Sequence, residues 1–369
     1  MIIKQPLHQP LDERIRAHCK QAGGWLPFDA FMALALYDPQ DGYYSGHRPK
    51  LGLMPQSGSD FVTAPEMSAL FGQTLAAQVA QALEHTGTRE VWEFGAGSGA
   101  LALQLLGALG EAVERYTIVD VSGSLQVRQQ ALLQRFGTKV RWLSALPDTI
   151  SGVVVGNEVL DAMPVKLLAR SGGVWHERGV ATPQLTDSQT QGWAWADRPT
   201  TLRPPLCIEG THDYVTEVHP QAEAFVRTLA DKLERGAVLL LDYGFPEAEY
   251  YHPQRHMGTL VCHQSHQMDA DPLSDVGAKD ITAHVNFTGV ALAAQEAGLQ
   301  VLGYTSQGRF LLNCGLAQLM EQADLPTRAQ AAKLVMEHEM GELFKVLALC
   351  VGEPWPALGF AAGDRTHNL

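Results

Sequence analysis

Cysteine is scarce in this sequence, and no hydrophobic run is long. The 369 residues include five cysteines, which lie far apart and are odd in number. This argues against a disulfide framework and favours a reducing compartment, so we expect a cytoplasmic protein. No apolar run approaches the ~18 residues that a membrane span needs. Asp12 and Glu13 also argue against an acid-poor transit peptide at the N-terminus.

Basic side chains are in the minority as well. Lysine and arginine number 27, against 40 aspartates and glutamates, which gives a formal net charge of −13. An acidic surface repels phosphate backbones, so we expect no nucleic-acid partner. The sequence has no internal repeat or low-complexity tract, and its hydrophobic content of 46% is typical of a globular protein. The length suits one large domain with additions, or two domains.

The pattern of residues 1–85 predicts helices and loops. Helical spacing of apolar residues predicts one helix over 27–37 and a second that begins at Pro65, with Thr63 or Ala64 as its cap. The second helix has one stripe of side chains that we expect to be buried, formed by Phe71, Leu75, Val79 and Leu83. We interpret residues 1–85 as an N-terminal extension that forms a lid.

From residue 90 onward, short apolar runs alternate with longer helical patterns. The predicted strands are 90–94, 116–120, 140–143, 153–157, 237–242, 300–304 and 309–313. The predicted helices are 99–109, 124–136, 220–235, 283–297, 316–323 and 327–349. This alternation predicts an α/β fold with a parallel sheet and helices on both of its faces.

The same pattern predicts the domain organisation. We expect a core over residues 86–315, interrupted by insertions at 165–215 and 243–280. The first insertion alternates Gly, Trp and Thr and is expected to be β-rich. Residues 316–369 are expected to form C-terminal helices, whose leucine and methionine side chains could pair two subunits into a homodimer.

A glycine-rich turn, Gly95-Ala96-Gly97-Ser98-Gly99, follows the first strand of the predicted core. Glycine permits a tight turn and a close approach of ligand to backbone, and the next helix offers free N–H groups. The spacing alone fits either a dinucleotide or S-adenosylmethionine. Glu93 favours the second, because a carboxylate there suits a cationic amino-acid end better than an anionic pyrophosphate. Asp120 ends the next strand, where an acidic side chain binds ribose hydroxyls of either ligand.

A second group of polar residues follows the strand 153–157. Asn157 and Glu158 leave this strand at the edge where open parallel sheets bind their ligands. Asp161 lies three residues further on, and so on the same face if the turn is helical. Paired carboxylates beside a cofactor can hold a basic substrate group, and Asp242 ends a third strand at the same edge.

These residues and others resemble the MidA-type S-adenosylmethionine-dependent methyltransferases, a family that includes the mitochondrial complex I assembly methyltransferase. The resemblance runs from about residue 26 to about residue 348. Its motifs are LYDP (36–39) with GYY (42–44), DFVTAPE (60–66) with FG (71–72), EFGAGSG (93–99), NEVLDAMP (157–164), DYG (242–244), GTL (258–260), His266 and DITAHVNF (280–287). The chain departs from the family at Asp120, where Glu is more usual, at Asn286, where Asp is usual, and at Ser59, where Gly is usual.

The resemblance implies a Rossmann-like class I methyltransferase fold, with a seven-stranded, mostly parallel sheet whose last strand is antiparallel. It implies S-adenosyl-L-methionine as the cofactor. It also implies methylation of arginine in a protein, with a subunit of the respiratory NADH dehydrogenase as the family's known target. The residues expected to bind the cofactor are Thr63, Glu93, Gly95, Ala96, Gly97, Gly99, Asp120, Val121 and Asn157.

For an arginine acceptor, carboxylates are the first catalytic candidates. A guanidinium is cationic and a poor nucleophile. Carboxylates that bind it bidentately orient it and localise its charge away from the attacking nitrogen. Glu158 is the first candidate for this role, Asp161 the second, and Glu66, in the predicted lid, the third. His284 or His266 is the candidate acceptor of the released proton.

Other functions fit parts of the sequence. The glycine turn alone also fits an NAD-dependent oxidoreductase, and a non-catalytic assembly factor could retain the same fold. His252, His256, Cys262, His263 and His266 lie close together, with spacings that zinc ligands can show. They lack a C-x2-C partner, so we predict no metal site.

Overall fold

The computed structural model describes residues 10–45, 62–120, 122–182, 192–264 and 267–369. The chain divides into two compact units. The described parts of residues 1–48, 164–218 and 252–283 form one, which we name the insertion unit. Those of residues 49–163, 219–251 and 284–369 form the other, the sheet unit. The predicted extension over residues 1–85 is thus divided between the units, and its role as a lid stays a prediction.

In the described residues, the strands are β1 (Leu26–Pro27), β2 (Glu90–Phe94), β3 (Arg115–Val119), β4 (Val140–Leu143), β5 (Ile150–Asn157), β6 (Lys166–Ser171), β7 (Val174–Ala181), β8 (Ala194–Pro199), β9 (Tyr214–Val218), β10 (Leu233–Phe245), β11 (Val261–Gln264), β12 (Gln267–Asp269), β13 (Asp280–Thr282), β14 (Val285–Asn286), β15 (Gln300–Ser306) and β16 (Phe344–Cys350). The helices are α1 (Leu11–Gln21), α2 (Phe28–Tyr37), α3 (Ala64–Met67), α4 (Ala69–Thr86), α5 (Ala100–Leu109), α6 (Gly123–Leu133), α7 (Pro220–Lys232), α8 (Glu247–Tyr250), α9 (Phe287–Glu296), α10 (Gln307–Asn313), α11 (Leu316–Gln322) and α12 (Leu325–Lys333). The elements predicted between residues 90 and 304 are confirmed, with ends that differ by a few residues.

One large sheet organises the sheet unit. Its strand order is β15-β16-β10-β5-β2-β3-β4, and β14 pairs with the end of β10. Neighbours from β10 to β4 are parallel. β16 is antiparallel to both β10 and β15. The mostly parallel α/β sheet with an antiparallel strand, which the resemblance implies, is therefore confirmed.

Apolar side chains cover both faces of this sheet. Val153 and Val155 of β5 belong to a cluster that includes side chains of α4 and α5. Val154, between them, belongs to a second cluster with side chains of α7 and α9. Strands buried on both faces are nearly continuous apolar runs. This burial leaves the strand ends as the place for polar side chains.

The C-terminal part of the sheet differs from the prediction. Residues 309–313, predicted as a strand, lie in α10, and the helix predicted over 327–349 ends at Lys333. Phe344–Cys350 is instead a central strand, β16, with every residue buried. A short run buried on all sides has the same hydrophobic pattern in a helix and in a strand. Pairing with β10 decides between them, and the sheet extends past the predicted core boundary at residue 315.

The helix predicted from Pro65 is interrupted at Ser68. This residue has extended backbone angles, and its hydroxyl accepts the N–H of Leu70 at 3.3 Å. The bond caps α4 as a separate helix and leaves α3 as a single turn before it. The stripe predicted to be buried is confirmed on α4, at Phe71, Leu75, Val79 and Leu83.

The insertion unit has a sheet and a core of its own. β9, β6, β7 and β8 are antiparallel neighbours in that order, and β1 pairs with the end of β7. A smaller sheet has the order β12-β11-β13. Phe28, Phe31 and Met32 of α2 share one buried cluster with Leu167 of β6. Most of the β structure in this unit thus lies in residues 166–218, close to the insertion predicted at 165–215.

Candidate functional site

Three parallel strands of the sheet unit end side by side. Phe94 of β2 lies opposite Gly156 of β5, and Asn157 of β5 lies opposite Leu241 of β10. The turns after these strands therefore emerge at one edge of the sheet, where open α/β sheets bind ligands. The turns after β2 and β5 are also in contact, because a Cβ placed on Gly95 would lie 3.2 Å from Cγ2 of Val159.

The turn after β2 requires glycine at three positions. Gly95, Gly97 and Gly99 have φ angles of 62°, 52° and 87°, in the left-handed region that side chains disfavour. The N–H of Gly99 donates to the carbonyl of Ala96 at 2.8 Å and closes the turn. α5 begins at Ala100, so the positive end of its dipole lies at this turn.

A buried glutamine joins this turn to the end of β3. Nε2 of Gln129, on α6, donates to the carbonyl of Gly97 at 2.9 Å and to Oδ2 of Asp120 at 3.0 Å. Its Oε1 accepts the indole N–H of Trp142 at 3.0 Å, so both ends of the amide are held. Asp120 is thereby placed beside the glycine turn, as the ribose-binding role requires. Val121, also predicted to bind the cofactor, lies outside the described residues.

Glu93 lies deeper in the sheet than a solvated strand-end carboxylate. It is 2% exposed, and its Oε2 accepts the hydroxyl of Tyr116 at 2.7 Å. Burial raises the pKa of Glu93 to about 7; the Tyr116 hydrogen bond opposes this rise, and the charge of Asp120 adds to it. A cationic group beside Glu93 would favour the ionised form. The residue therefore fits the expected contact with the amino end of the cofactor, and that contact stays a prediction.

Helix α3 lies beside the glycine turn. Nε2 of Gln104, on α5, donates to the carbonyl of Pro65 at 2.6 Å and so holds α3 against α5. Glu66 hydrogen-bonds with Ser98 of the turn; burial raises the pKa of Glu66, and this bond opposes the rise. Oε2 of Glu66 is buried with no hydrogen-bond partner in the described part of the chain. The structure thus places Glu66, with Thr63 one helical turn before it, next to the glycine turn.

The turn after β5 is held by the carboxylate of Asp242. Its Oδ2 accepts the N–H groups of Val159, Leu160 and Asp161 at 3.1, 2.9 and 3.2 Å. Burial raises the pKa of Asp242, and the negative charges of Asp161 and Glu158 raise it further. The N–H groups that donate to Asp242 oppose this rise. The turn also holds Glu158 in the left-handed region, at a φ of 53°. A glutamate held there is a backbone outlier of the kind that clusters at functional sites.

Two of the predicted carboxylates are positioned by this turn. Nδ2 of Asn157 donates to Oε1 of Glu158 at 2.9 Å. The hydroxyl of Tyr243 donates to Oδ2 of Asp161 at 2.6 Å, and Oδ1 of Asp161 is buried with no partner among the described residues. Burial raises the pKa of Asp161 to about 6, against the Tyr243 hydrogen bond, which lowers it. Asp161 therefore has one oxygen available to a donor on a ligand.

His284 belongs to a row of aromatic rings near these carboxylates. Its ring stacks on that of Phe245, with centroids 5.2 Å apart and planes 2° apart. It also meets the ring of Tyr243 edge-on, at a centroid distance of 5.1 Å. Since Tyr243 bonds to Asp161, a single side chain links His284 to the predicted catalytic carboxylates. His266, the other candidate proton acceptor, lies outside the described residues.

Three residues of this site had no role assigned from the sequence. Asp242 and Tyr243 have a sequence signal, the DYG motif at the end of a predicted strand, but not the contacts that give them a role. Gln129 has no such signal, because its partners Gly97 and Trp142 are distant from it in the chain.

The described residues contain no group of three or more His, Cys, Asp and Glu side chains that could hold a metal ion. No helix in that part of the chain is long and apolar enough to cross a membrane. The sheet edge thus offers a glycine turn with a buried carboxyl, a strand-end carboxylate and a carboxylate-bearing turn. This set suits a nucleoside ligand with a cationic end, together with a second, cationic molecule.

Comparison with known proteins gives consistent similarities. The family model described as S-adenosyl-L-methionine-dependent methyltransferase matches residues 74–305. The chain is 28% identical to the mitochondrial protein arginine methyltransferase NDUFAF7 homolog of Drosophila melanogaster, over 96% of this chain and 89% of that protein. It is also 28% identical to the mitochondrial protein arginine methyltransferase NDUFAF7 of Danio rerio, over 89% of this chain and 84% of that protein. A crystal structure from Burkholderia thailandensis, bound to S-adenosyl-homocysteine, is 46% identical with a TM-score of 0.91, covering 99% of this chain and 100% of that one.

Proposed function

This chain belongs to a family of S-adenosyl-L-methionine-dependent methyltransferases, and from that premise we propose that it methylates an arginine side chain of a protein. S-adenosyl-L-methionine is its cofactor, and methyl transfer is its reaction. The relatives named as protein arginine methyltransferases support arginine as the acceptor. The motif resemblance adds a subunit of the respiratory NADH dehydrogenase, or a similar protein, as the substrate. Cytoplasmic location and homodimer formation stay predictions.

The observation that carries the arginine proposal is the pair of carboxylates on the turn after β5. Glu158 is half-buried and held at an unusual backbone angle. Asp161 is 5% exposed, with one oxygen that has no partner among the residues described. A planar guanidinium matches carboxylates through pairs of parallel N–H donors. The turn contacts the glycine turn through Val159, so an arginine bound here would lie beside the cofactor.

The cofactor, when bound, supplies an electrophilic methyl group. Glu93 is the candidate partner of its amino end, and Asp120 of its ribose. Glu158 and Asp161 orient the guanidinium, so that one nitrogen faces the methyl group instead of rotating freely. His284, whose ring contacts that of Tyr243, is the proposed acceptor of the proton that the methylated nitrogen releases.

The experiment uses a lysate from cells that lack this enzyme. The lysate is incubated with the purified full chain and isotope-labelled S-adenosyl-L-methionine, and the labelled residue is mapped by mass spectrometry. We expect label on arginine. The Glu158→Gln variant keeps the shape of the side chain and removes its charge, so we expect the rate to fall by at least about 100-fold.

A matched control separates this role from a general effect of charge. Glu353 is exposed and lies in the same unit, and Glu353→Gln is expected to stay within about twofold of the unmodified chain. Both variants should bind S-adenosyl-homocysteine as the unmodified chain does. Label on another residue type would contradict the arginine assignment. Cofactor binding with no label on any protein would favour the non-catalytic assembly factor.

A further inference from the structure

Helix α6 contributes one fully buried polar side chain to the expected cofactor site. Most of α6 is exposed or half-buried, and its buried residues are Gln129 and Leu133. Gln129 is 0% exposed. A buried carboxamide is unfavourable unless its polar groups have partners. Gln129 meets this condition, and its partners come from three other segments of the sheet unit.

These partners decide which way round the carboxamide of Gln129 lies. The indole N–H of Trp142 can only donate, and it lies 3.0 Å from Oε1 of Gln129. The amide nitrogen therefore faces the two acceptors, the carbonyl of Gly97 at 2.9 Å and Oδ2 of Asp120 at 3.0 Å. With the two ends exchanged, an oxygen would face two other oxygens and an amide N–H would face the indole N–H. One orientation of Gln129 is therefore strongly preferred.

Asp120 is held on both of its carboxylate oxygens. Oδ2 accepts an N–H of Gln129, and Oδ1 accepts the backbone N–H of Ser122 at 2.9 Å. Asp120 is only half-buried, so water could hydrate its charge without Gln129. The torsion that turns an aspartate carboxylate is broad, and one donor on each oxygen restricts it. Gln129 thus contributes direction to Asp120.

Gln129 extends this order to the glycine turn. Its amide nitrogen donates to the carbonyl of Gly97, which has a left-handed φ of 52°. Its Cγ also lies over Gly99, since a Cβ placed on that glycine would be 3.4 Å away. A single side chain therefore sets the spacing between Asp120 and the turn, the two parts of the site that are expected to contact one nucleoside.

We propose that Gln129 is a positioning residue for the cofactor and holds the Asp120 carboxylate in the direction that binds the ribose hydroxyls. Trp142 contributes by keeping the carboxamide of Gln129 the right way round. An acceptor that is already oriented binds more tightly, because less freedom is lost when the ligand arrives. This role rests on the ribose contact expected for Asp120, but not on arginine as the methyl acceptor.

The test compares two ligands by isothermal titration calorimetry of the full chain. One is S-adenosyl-homocysteine, and the other is its 2′,3′-dideoxy analogue, which lacks both ribose hydroxyls. For the unmodified chain, we expect the analogue to bind at least about tenfold more weakly, because hydrogen bonds to a carboxylate are lost. In Gln129→Met, which keeps the length of the side chain, we expect this ratio of affinities to fall below about threefold. A variant that only loosens the fold would weaken both ligands alike and leave the ratio unchanged.

Three further variants make the test specific. Gln130→Met replaces the neighbouring, exposed glutamine of α6 and should leave both affinities within about twofold. Trp142→Phe removes the indole donor and should lower the ratio by at least about twofold. Asp120→Ala should lower the ratio as far as Gln129→Met does. Adding Gln129→Met to Asp120→Ala should then change the ratio no further, because both residues act through one carboxylate.

An unchanged ratio in Gln129→Met would overturn the proposal, and so would a further fall when Gln129→Met is added to Asp120→Ala. A ratio near one in the unmodified chain would overturn it too, because Asp120 would then not bind the ribose hydroxyls. If Gln129→Met fails to fold, Trp142→Phe supplies the deciding ratio. Arginine labelling with an unchanged ratio would count only against this proposal, and the expected ratios without arginine labelling only against the proposed function.

Discussion

Asp161, which we propose to bind the acceptor arginine, is held by two hydrogen bonds within the protein. Its Oδ2 accepts the Tyr243 hydroxyl at 2.6 Å, and its backbone N–H donates to Asp242 at 3.2 Å. Burial raises the pKa of Asp161 to about 6, so its charge is retained at neutral pH and lost on mild acidification. A cation bound to the remaining oxygen would favour the ionised form.

This balance predicts the pH dependence of the reaction. If Asp161 must be ionised to hold the acceptor, kcat/KM rises with pH through an apparent pKa near 6. The Tyr243 hydrogen bond lowers that pKa, so Tyr243→Phe removes a stabiliser of the charge and moves the rising limb to higher pH. The measurement is kcat/KM for the mapped substrate between pH 5 and pH 8, at roughly saturating cofactor.

Asp161→Asn provides the companion measurement, because the amide cannot titrate. We expect a lower rate without the rising limb near pH 6. A profile for Tyr243→Phe that coincides with that of the unmodified chain would show that this hydrogen bond does not govern the reaction.

At the level of helices and strands, α9 explains one departure from the family pattern. Asn286 is its N-cap: the side-chain oxygen accepts the N–H of Gly289 at 3.2 Å. The amide also donates a hydrogen bond to the carboxylate of Glu247. Burial raises the pKa of Glu247, and the hydrogen bond from Asn286 opposes this rise. An aspartate would cap the helix equally well, but it could not donate to Glu247. Asparagine at this position is therefore the residue that satisfies both neighbours.

This explanation predicts that the usual family residue is unfavourable here. The Asn286→Asp variant replaces the hydrogen bond to Glu247 with repulsion between two carboxylates, one of them buried. We expect this change to lower the free energy of unfolding by about 2 kcal/mol at neutral pH. The cost should shrink as the pH falls, because one of the two carboxyls then becomes protonated. Urea unfolding at pH 7 and pH 5 measures both values.

Asn286→Ser is the matched comparison, since serine caps a helix without a charge. It should be less destabilising than Asn286→Asp at pH 7 and show little pH dependence over the same interval. Equal stability of Asn286→Asp and the unmodified chain would contradict the contact with Glu247.

On the scale of the entire chain, the sheet unit contains every predicted cofactor residue that the structure describes. A ligand that binds only the folded form stabilises it by mass action, by about 2.7 kcal/mol at a free concentration of about 100 times Kd. We therefore expect S-adenosyl-homocysteine to raise the unfolding midpoint of the sheet unit in a calorimetric scan. NADH at the same concentration should leave that midpoint unchanged, and a shift with NADH alone would restore the oxidoreductase alternative.

Local pattern predicted a large part of this protein. The alternation of short apolar runs with helical spacing predicts the parallel sheet, because strands buried on both faces are nearly continuous apolar runs, whereas the apolar residues of an amphipathic helix recur every third or fourth position. The glycine turn and the carboxylates Glu158 and Asp161 were also predictable, since each follows a strand and the carboxyl ends of parallel strands share one edge. These features depend on neighbours within a few residues, which the sequence displays directly.

Features that depend on distant partners were not accessible in this way. Phe344–Cys350 is a strand because β10 and β15 pair with it on either side, and its own apolar run fits a helix as well. Asp242 holds a turn that lies 81 or more positions away in the chain, and Gln129 bridges segments on both sides of it. A cavity around Tyr304 likewise gathers side chains from β10, β15, β16 and the C-terminal residues. Hydrogen bonds and ion pairs of this kind form only after folding has brought the segments together. Local patterns in the sequence therefore do not predict them.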